Sequence, residues 1–121
     1  MGKKINTVSK KGIRLISIRK SKREGKKYTA TFEIKKGKNI SRKTTHFGAK
    51  NMSDYTKHKD KERRGRYISR HKKDLNTKDP TRAGYLAMFI LWNKPTLSGS
   101  ILDYKKRLRD YNKTGRFNTK I

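Results

Sequence analysis

Residues 28–34 read Tyr28-Thr29-Ala30-Thr31-Phe32-Glu33-Ile34. Every second residue is apolar or aromatic, so Tyr28, Ala30, Phe32 and Ile34 share one face of an extended strand. Such a strand has a face to bury and needs neighbours. One lies upstream, beyond a turn at Gly25: Ile13-Arg14-Leu15-Ile16-Ser17-Ile18-Arg19. Another runs downstream from about Ile40 to Phe47, beyond the turn Lys36-Gly37-Lys38-Asn39. Short turns between consecutive strands give an antiparallel meander of three strands. Its apolar face awaits a cover, and its other face carries Lys and Arg.

Past Gly48 the period changes. Between about Asp54 and Leu75 the chain is highly charged, and Arg64, Tyr67, Ile68, His71 and Leu75 form one helical stripe. Asp60 with Arg64, and Glu62 with Arg66, have the acid-first i,i+4 spacing that supports a helix, while Gly65 weakens it. Asp79-Pro80 is a helix-start signal. The helix it opens, to about Asn93, contains Tyr85-Leu86-Ala87-Met88-Phe89-Ile90-Leu91-Trp92, apolar on almost every side and so the expected centre of the core. Lys94-Pro95 closes it. Ser98 or Ser100 is the expected cap of a last helix, with Asp103 three residues after Ser100, and Ile101, Tyr104, Leu108 and Tyr111 as its buried stripe.

The expected fold is therefore α+β, a three-stranded antiparallel sheet followed by about three helices, with basic flexible termini. Residues 1–12 read as a basic arm, 13–111 as a single small domain (strands about 13–47, helices about 54–111), and 112–121 as a fraying basic tail whose Phe117 can dock. The expected core is Tyr28, Phe32, Ile34, Tyr67, Ile68, Leu86, Phe89, Ile90, Trp92, Ile101, Tyr104 and Leu108.

Charge bears on function more than any motif. Thirty-six Lys and Arg stand against nine acids, a net charge of +27 on 121 residues. A compact domain so charged repels itself and is suited to polyanionic partners, nucleic acid first. Two groups of cations stand out as candidate phosphate contacts. The arm residues Lys3, Lys4, Lys10 and Lys11 lead into a first hairpin lined by Arg14, Arg19, Lys20, Lys22, Arg23, Lys26 and Lys27. On the charged helix, Lys59, Arg63, Arg66 and Arg70 follow at three- or four-residue steps and can track one backbone. Contacts of this kind position a protein without reading sequence. The plain alternatives are a solvated basic face for the hairpin and protein salt bridges for the helix.

Other chemistries find little support. The three histidines, His46, His58 and His71, match no zinc spacing, and with no cysteine there is neither a disulfide nor a thiolate site. Asp54, Asp60, Glu62, Asp74 and Asp79 are too scattered for a magnesium cluster. Gly12, Gly25 and Gly37 are isolated turn glycines, not a phosphate loop. No enzyme, cofactor or metal is expected. Met1-Gly2-Lys3-Lys4 is followed by no apolar stretch, so no secretory leader is expected, and Tyr85–Trp92 is far too short to span a bilayer. Aromatic residues interleave with the charge at Tyr28, Phe32, Phe47, Tyr55 and Tyr67; an exposed subset would stack on unpaired bases, whereas Tyr28 and Phe32 fall on the inward face.

Phe47 to Tyr67, Asp79-Pro80-Thr81-Arg82-Ala83-Gly84-Tyr85, Ile90 to Leu97 and Ser100 to Arg107 resemble a family of small, basic, functionally uncharacterised proteins of nucleocytoplasmic large DNA viruses. The resemblance is strong over about residues 45–108 and loose over the strands. It implies a giant-virus protein packaged in the virion, present in the cytoplasm or nucleus of the infected cell. The combined expectation is a non-enzymatic virion protein that binds nucleic acid, duplex DNA above all, through its phosphates with little sequence specificity, in genome packaging or condensation. The alternative is a minor capsid or core structural protein that binds acidic surfaces of other capsid or core proteins.

Overall fold

The structure, a computed structural model, describes residues 12–121. The expected arm, with Lys3, Lys4, Lys10 and Lys11, lies outside the described residues apart from Gly12, which begins the first strand. Strands β1 (Gly12–Lys20), β2 (Lys26–Lys36) and β3 (Asn39–Ala49) form an antiparallel sheet in the order β1-β2-β3. Lys36 pairs with Asn39, leaving a two-residue loop in which Gly37 has φ +61°. A glycine at that first loop position suits the twist of a tight hairpin.

Strict alternation from Ile13 would send Ser17 and Arg19 into the core. A bulge between Leu15 and Ser17 prevents this. The extra residue, Ile16, shifts the phase, so Ile18 pairs beside Ala30 while Arg19 joins Thr29 on the opposite face. The inner face then presents Ile13, Leu15, Ala30, Phe32 and Phe47, all buried.

Helices cover that face. α1 (Tyr55–His58) and α2 (Lys61–His71) divide what the sequence suggests is one helical stretch. Each has its own aspartate cap: Asp54 accepts from the Thr56 N–H, and Asp60 accepts from the Glu62 and Arg63 N–H groups. Between them Lys59 sits in the left-handed region at φ 56°. A 3-10 segment (Lys72–Thr77) follows.

α3 (Ala83–Leu86) starts later than Asp79-Pro80 suggests, because Asp79 accepts from the N–H and O–H of Thr81 and holds a turn there instead. α3 continues as a π-helical turn (Ala87–Leu91), which places Met88, Phe89, Ile90 and Leu91 all in the interior. α4 (Leu97–Thr114) is capped by Thr96, not by Ser98 or Ser100, and stops at left-handed Gly115. Ser100 is buried and accepts from the Lys94 N–H, while Asp103 turns away from the helix start to Asn93 and Arg107.

The three-stranded sheet followed by several helices is as expected, with Tyr85–Trp92 at its centre. Phe32, Leu86, Phe89, Ile90, Trp92, Tyr104 and Leu108 are buried, and Tyr28, Ile34, Tyr67 and Ile101 pack half-buried against them. Ile68 is a correction: it is half-buried on the flank of α2 and lies outside the core cluster, one step around the helix from Tyr67. The tail is a second correction. Residues 112–114 are helical, and Phe117 packs against Tyr85, Phe89, Tyr104 and Tyr111. Arg107 Nη1 donates to the carbonyls of Asn118 and Lys120, which fixes the segment beyond it.

The β1 edge of the sheet is also capped at one residue, Ile13. The Asn112 side-chain amide accepts from the Ile13 N–H at 3.1 Å and donates to the Ile13 carbonyl at 2.9 Å. It pairs with β1 as a neighbouring strand would.

Candidate nucleic-acid interface

The sheet register fixes which cations face away from the helices. Arg14, Glu33 and Arg42 form one cross-strand row of the outer face; Ser17, Thr31 and Thr44 form the next; Arg19, Thr29 and His46 the third. Hydroxyls and guanidinium groups thus alternate on a surface the helices leave open. His46 Nδ1 lies 2.8 Å from the Ser21 hydroxyl and 2.9 Å from that of Thr29, which holds the ring against the sheet.

Lys20, Lys22, Arg23 and Lys26, at and beside the β1–β2 turn, are all exposed. This turn is tied to the end of β3 by the Lys50 N–H, which donates to the Gly25 carbonyl at 3.0 Å. Just before it, Gly48 (φ +81°) packs so closely on Leu91 that an added Cβ would sit 2.9 Å from its Cδ1. The sheet end is thereby brought against the π-helical turn.

Lys27 does not stay in solvent. Its ammonium is 2.5 Å from Asp54, with side chains 10% and 2% exposed, and it also donates to the Met52 carbonyl. A buried charge needs such a partner, and breaking the pair would leave the other ion unpaired. Lys27 therefore anchors α1 to the sheet.

α2 divides its arginines by face. Arg64 turns inward: its Nε donates to the Asn93 carbonyl at 2.9 Å and its guanidinium lies over the Tyr55 ring. Arg63, Arg66 and Arg70 are exposed, and none forms an ion pair with a described carboxylate. They border a cleft of about 370 Å³ that is also lined by the sheet end at Lys27, Gly48 and Ala49. Lys59, expected beside them, stands apart in the α1–α2 link, where its ammonium donates to the Thr56 carbonyl.

Aromatic rings form the side of this cleft. Tyr67 stacks on Trp92 at 4.4 Å with 4° between the planes, and on His71 at 4.1 Å and 21°. Burial, with the Asp74 carboxylate adding to it, pushes the Tyr67 hydroxyl up to about 12, so the ring stays neutral at any ordinary pH. His71 ends the stack, its Nδ1 3.0 Å from Asp74 and its side chain 40% exposed.

The structure thus brings two of the sequence-marked groups to one end of the molecule, the β1–β2 turn and the Arg63–Arg66–Arg70 face. Arg14 lies further along the open sheet face, where it pairs at 3.3 Å with Glu33. The place of Trp92 and His71 in a cleft wall is not legible in the sequence. The one signal there is the regular spacing of Arg63, Arg66 and Arg70. Among the described residues no group of His, Cys, Asp or Glu is placed to hold a metal ion, and no helix is long and apolar enough to cross a membrane.

Residues 16–71 match a family of unknown function (DUF5754). The match runs from within β1 to the end of α2, so it takes in the β1–β2 turn and all three cleft arginines. Much of it falls on the sheet, where the viral resemblance is loosest. No curated protein and no solved structure matches the chain.

Proposed function

We propose that the protein binds nucleic acid through its phosphate backbone, with little sequence specificity and without catalysing a reaction. The observation that carries this reading is the uncompensated charge gathered at one end. Lys22, Arg23 and Lys26 on the turn and Arg63, Arg66 and Arg70 on α2 reach solvent and form no ion pairs with described carboxylates. Folding has drawn them together against their mutual repulsion. A polyanion lying across both segments would relieve that repulsion and release its own counterions.

Duplex DNA is the partner of choice, since a regular run of phosphates suits cations spread over a sheet end and a helix. The resemblance to proteins of large DNA viruses supports a place in the virion, on the genome. Titration of random-sequence duplex DNA and duplex RNA across a salt series tests the reading. We expect log K to fall linearly with log salt, by about 0.9 for each phosphate engaged on DNA, over several phosphates. Affinity confined to very low salt, together with tighter binding to an acidic protein surface, would favour a capsid or core structural role.

A further inference from the structure

The cleft between α2 and the sheet end has two chemically different sides. Arg63, Arg66 and Arg70 lie at i, i+3 and i+7, on one face of α2 and at its mouth. The lining also includes Ala87, Leu91 and Trp92, with the Tyr67–His71 stack beside them. The Lys27–Asp54 pair also lines the cleft, and only two of the three ammonium protons of Lys27 have partners among the described residues. Bare phosphate needs only the arginines. A cleft of about 370 Å³ with an aromatic and apolar wall is ligand-sized, within the range of roughly 300–1,000 Å³.

We propose that this cleft holds one nucleoside phosphate, with its base against the aromatic and apolar wall and its phosphate on the arginines. The assignment deepens the backbone-binding reading and rests on it. An acidic peptide would satisfy the arginines but brings no planar face to the rings. A base inside a duplex is stacked on both sides and inaccessible, so the ligand is an unpaired nucleotide of a strand or a free mononucleotide. Tyr67 is covered on both faces by Trp92 and His71 and Trp92 is buried, so the base stacks on the outer side of His71, whose side chain is 40% exposed. Base–aromatic stacking adds about ten-fold or more to affinity and tolerates any base.

Trp92 is the only tryptophan and lies in the cleft wall, so its fluorescence reports occupancy directly. The full chain is titrated with AMP, ribose 5-phosphate, a single-stranded oligonucleotide, a blunt duplex and a hexaglutamate peptide. We expect AMP to change Trp92 emission saturably and to bind about ten-fold tighter than ribose 5-phosphate. The double variant R63Q/R66Q should weaken AMP binding by about ten-fold or more while the thermal transition stays near that of the parent. A single strand that reproduces the emission change assigns the ligand to an unpaired residue of a strand; a change given by AMP alone assigns it to a free nucleotide. Equal affinity for AMP and ribose 5-phosphate, or an equal response to hexaglutamate, overturns the assignment. So does duplex binding without any response to nucleotides, which leaves the backbone reading standing. Loss of duplex binding as well overturns both.

Discussion

The Arg107 guanidinium meets three structures at once. Its Nε is 2.6 Å from Asp103, its Nη1 donates to the carbonyls of Asn118 and Lys120, and its central carbon lies 4.8 Å from the centre of the Phe89 ring. A lysine could supply the charge but not the planar fork. Arg107→Ala should destabilise the domain by about 2–4 kcal/mol in urea unfolding and speed proteolysis after residue 115, with Arg107→Lys recovering only part. In sequence, Arg107 stands in a run with Lys105, Lys106 and Arg109 and reads as a solvated face. Only the tail folding back over α4 reveals its role, and nothing local encodes that. Titration follows from similar interactions. Burial alone would raise the Asp103 carboxyl, but the Arg107 hydrogen bond and charge, with the Asn93 hydrogen bond and the Lys94 charge, together hold it below its ordinary value. Its contribution is thus present above the ordinary carboxylate value, about 3.9, and is lost as pH falls through the lowered one. Tyr67 has the opposite sign: its stabilisation is complete below about pH 10 and is lost as pH rises from there towards 12. Tyrosinate absorbance at pH 11 should therefore be lower in the folded protein than in urea; equal absorbance would contradict the buried placement of Tyr67.

Elements are more legible than residues. Alternation in β2 defines the sheet, because a face that must be buried leaves little freedom of register. The bulge at Ile16 is visible only as a lapse in alternation, and its effect, turning Arg19 outward, requires the pairing with β2. The helical half departs from expectation at its boundaries. Asp60 reads as an i,i+4 partner of Arg64 but caps α2 by accepting from two backbone N–H groups, while Arg64 turns inward to the Asn93 carbonyl. The same competition moves Asp79 from a cap to a turn. α2 also contains a direct test of how firmly it is held. Gly65 is exposed in its interior, with no atom within 4 Å of an added Cβ. Gly65→Ala should stabilise the protein by up to about 1 kcal/mol and leave duplex affinity unchanged. A drop in stability on thermal unfolding would mean that α2 is not a regular helix at that point.

For the molecule as a whole, a net charge of +27 motivates the proposal of a polyanion partner but does not single out the surface that would meet it. Lys27 lies in a run with Lys26, yet one is buried against Asp54 and the other is exposed. Tyr67 and Trp92 belong to different helical segments and meet only when the π-helical turn packs between α2 and the sheet. The cleft is for that reason illegible in sequence, although its arginines are not. Under the proposed function the β1–β2 turn and α2 act as one phosphate-binding surface. Duplex DNA affinity measured across a salt series for the parent, for K22Q/R23Q/K26Q and for R63Q/R66Q/R70Q tests it most directly. One shared surface predicts that both variants reduce the salt slope, each by about 2–3, at about 0.9 for each phosphate that is no longer neutralised. A slope reduced in one variant and unchanged in the other would contradict it.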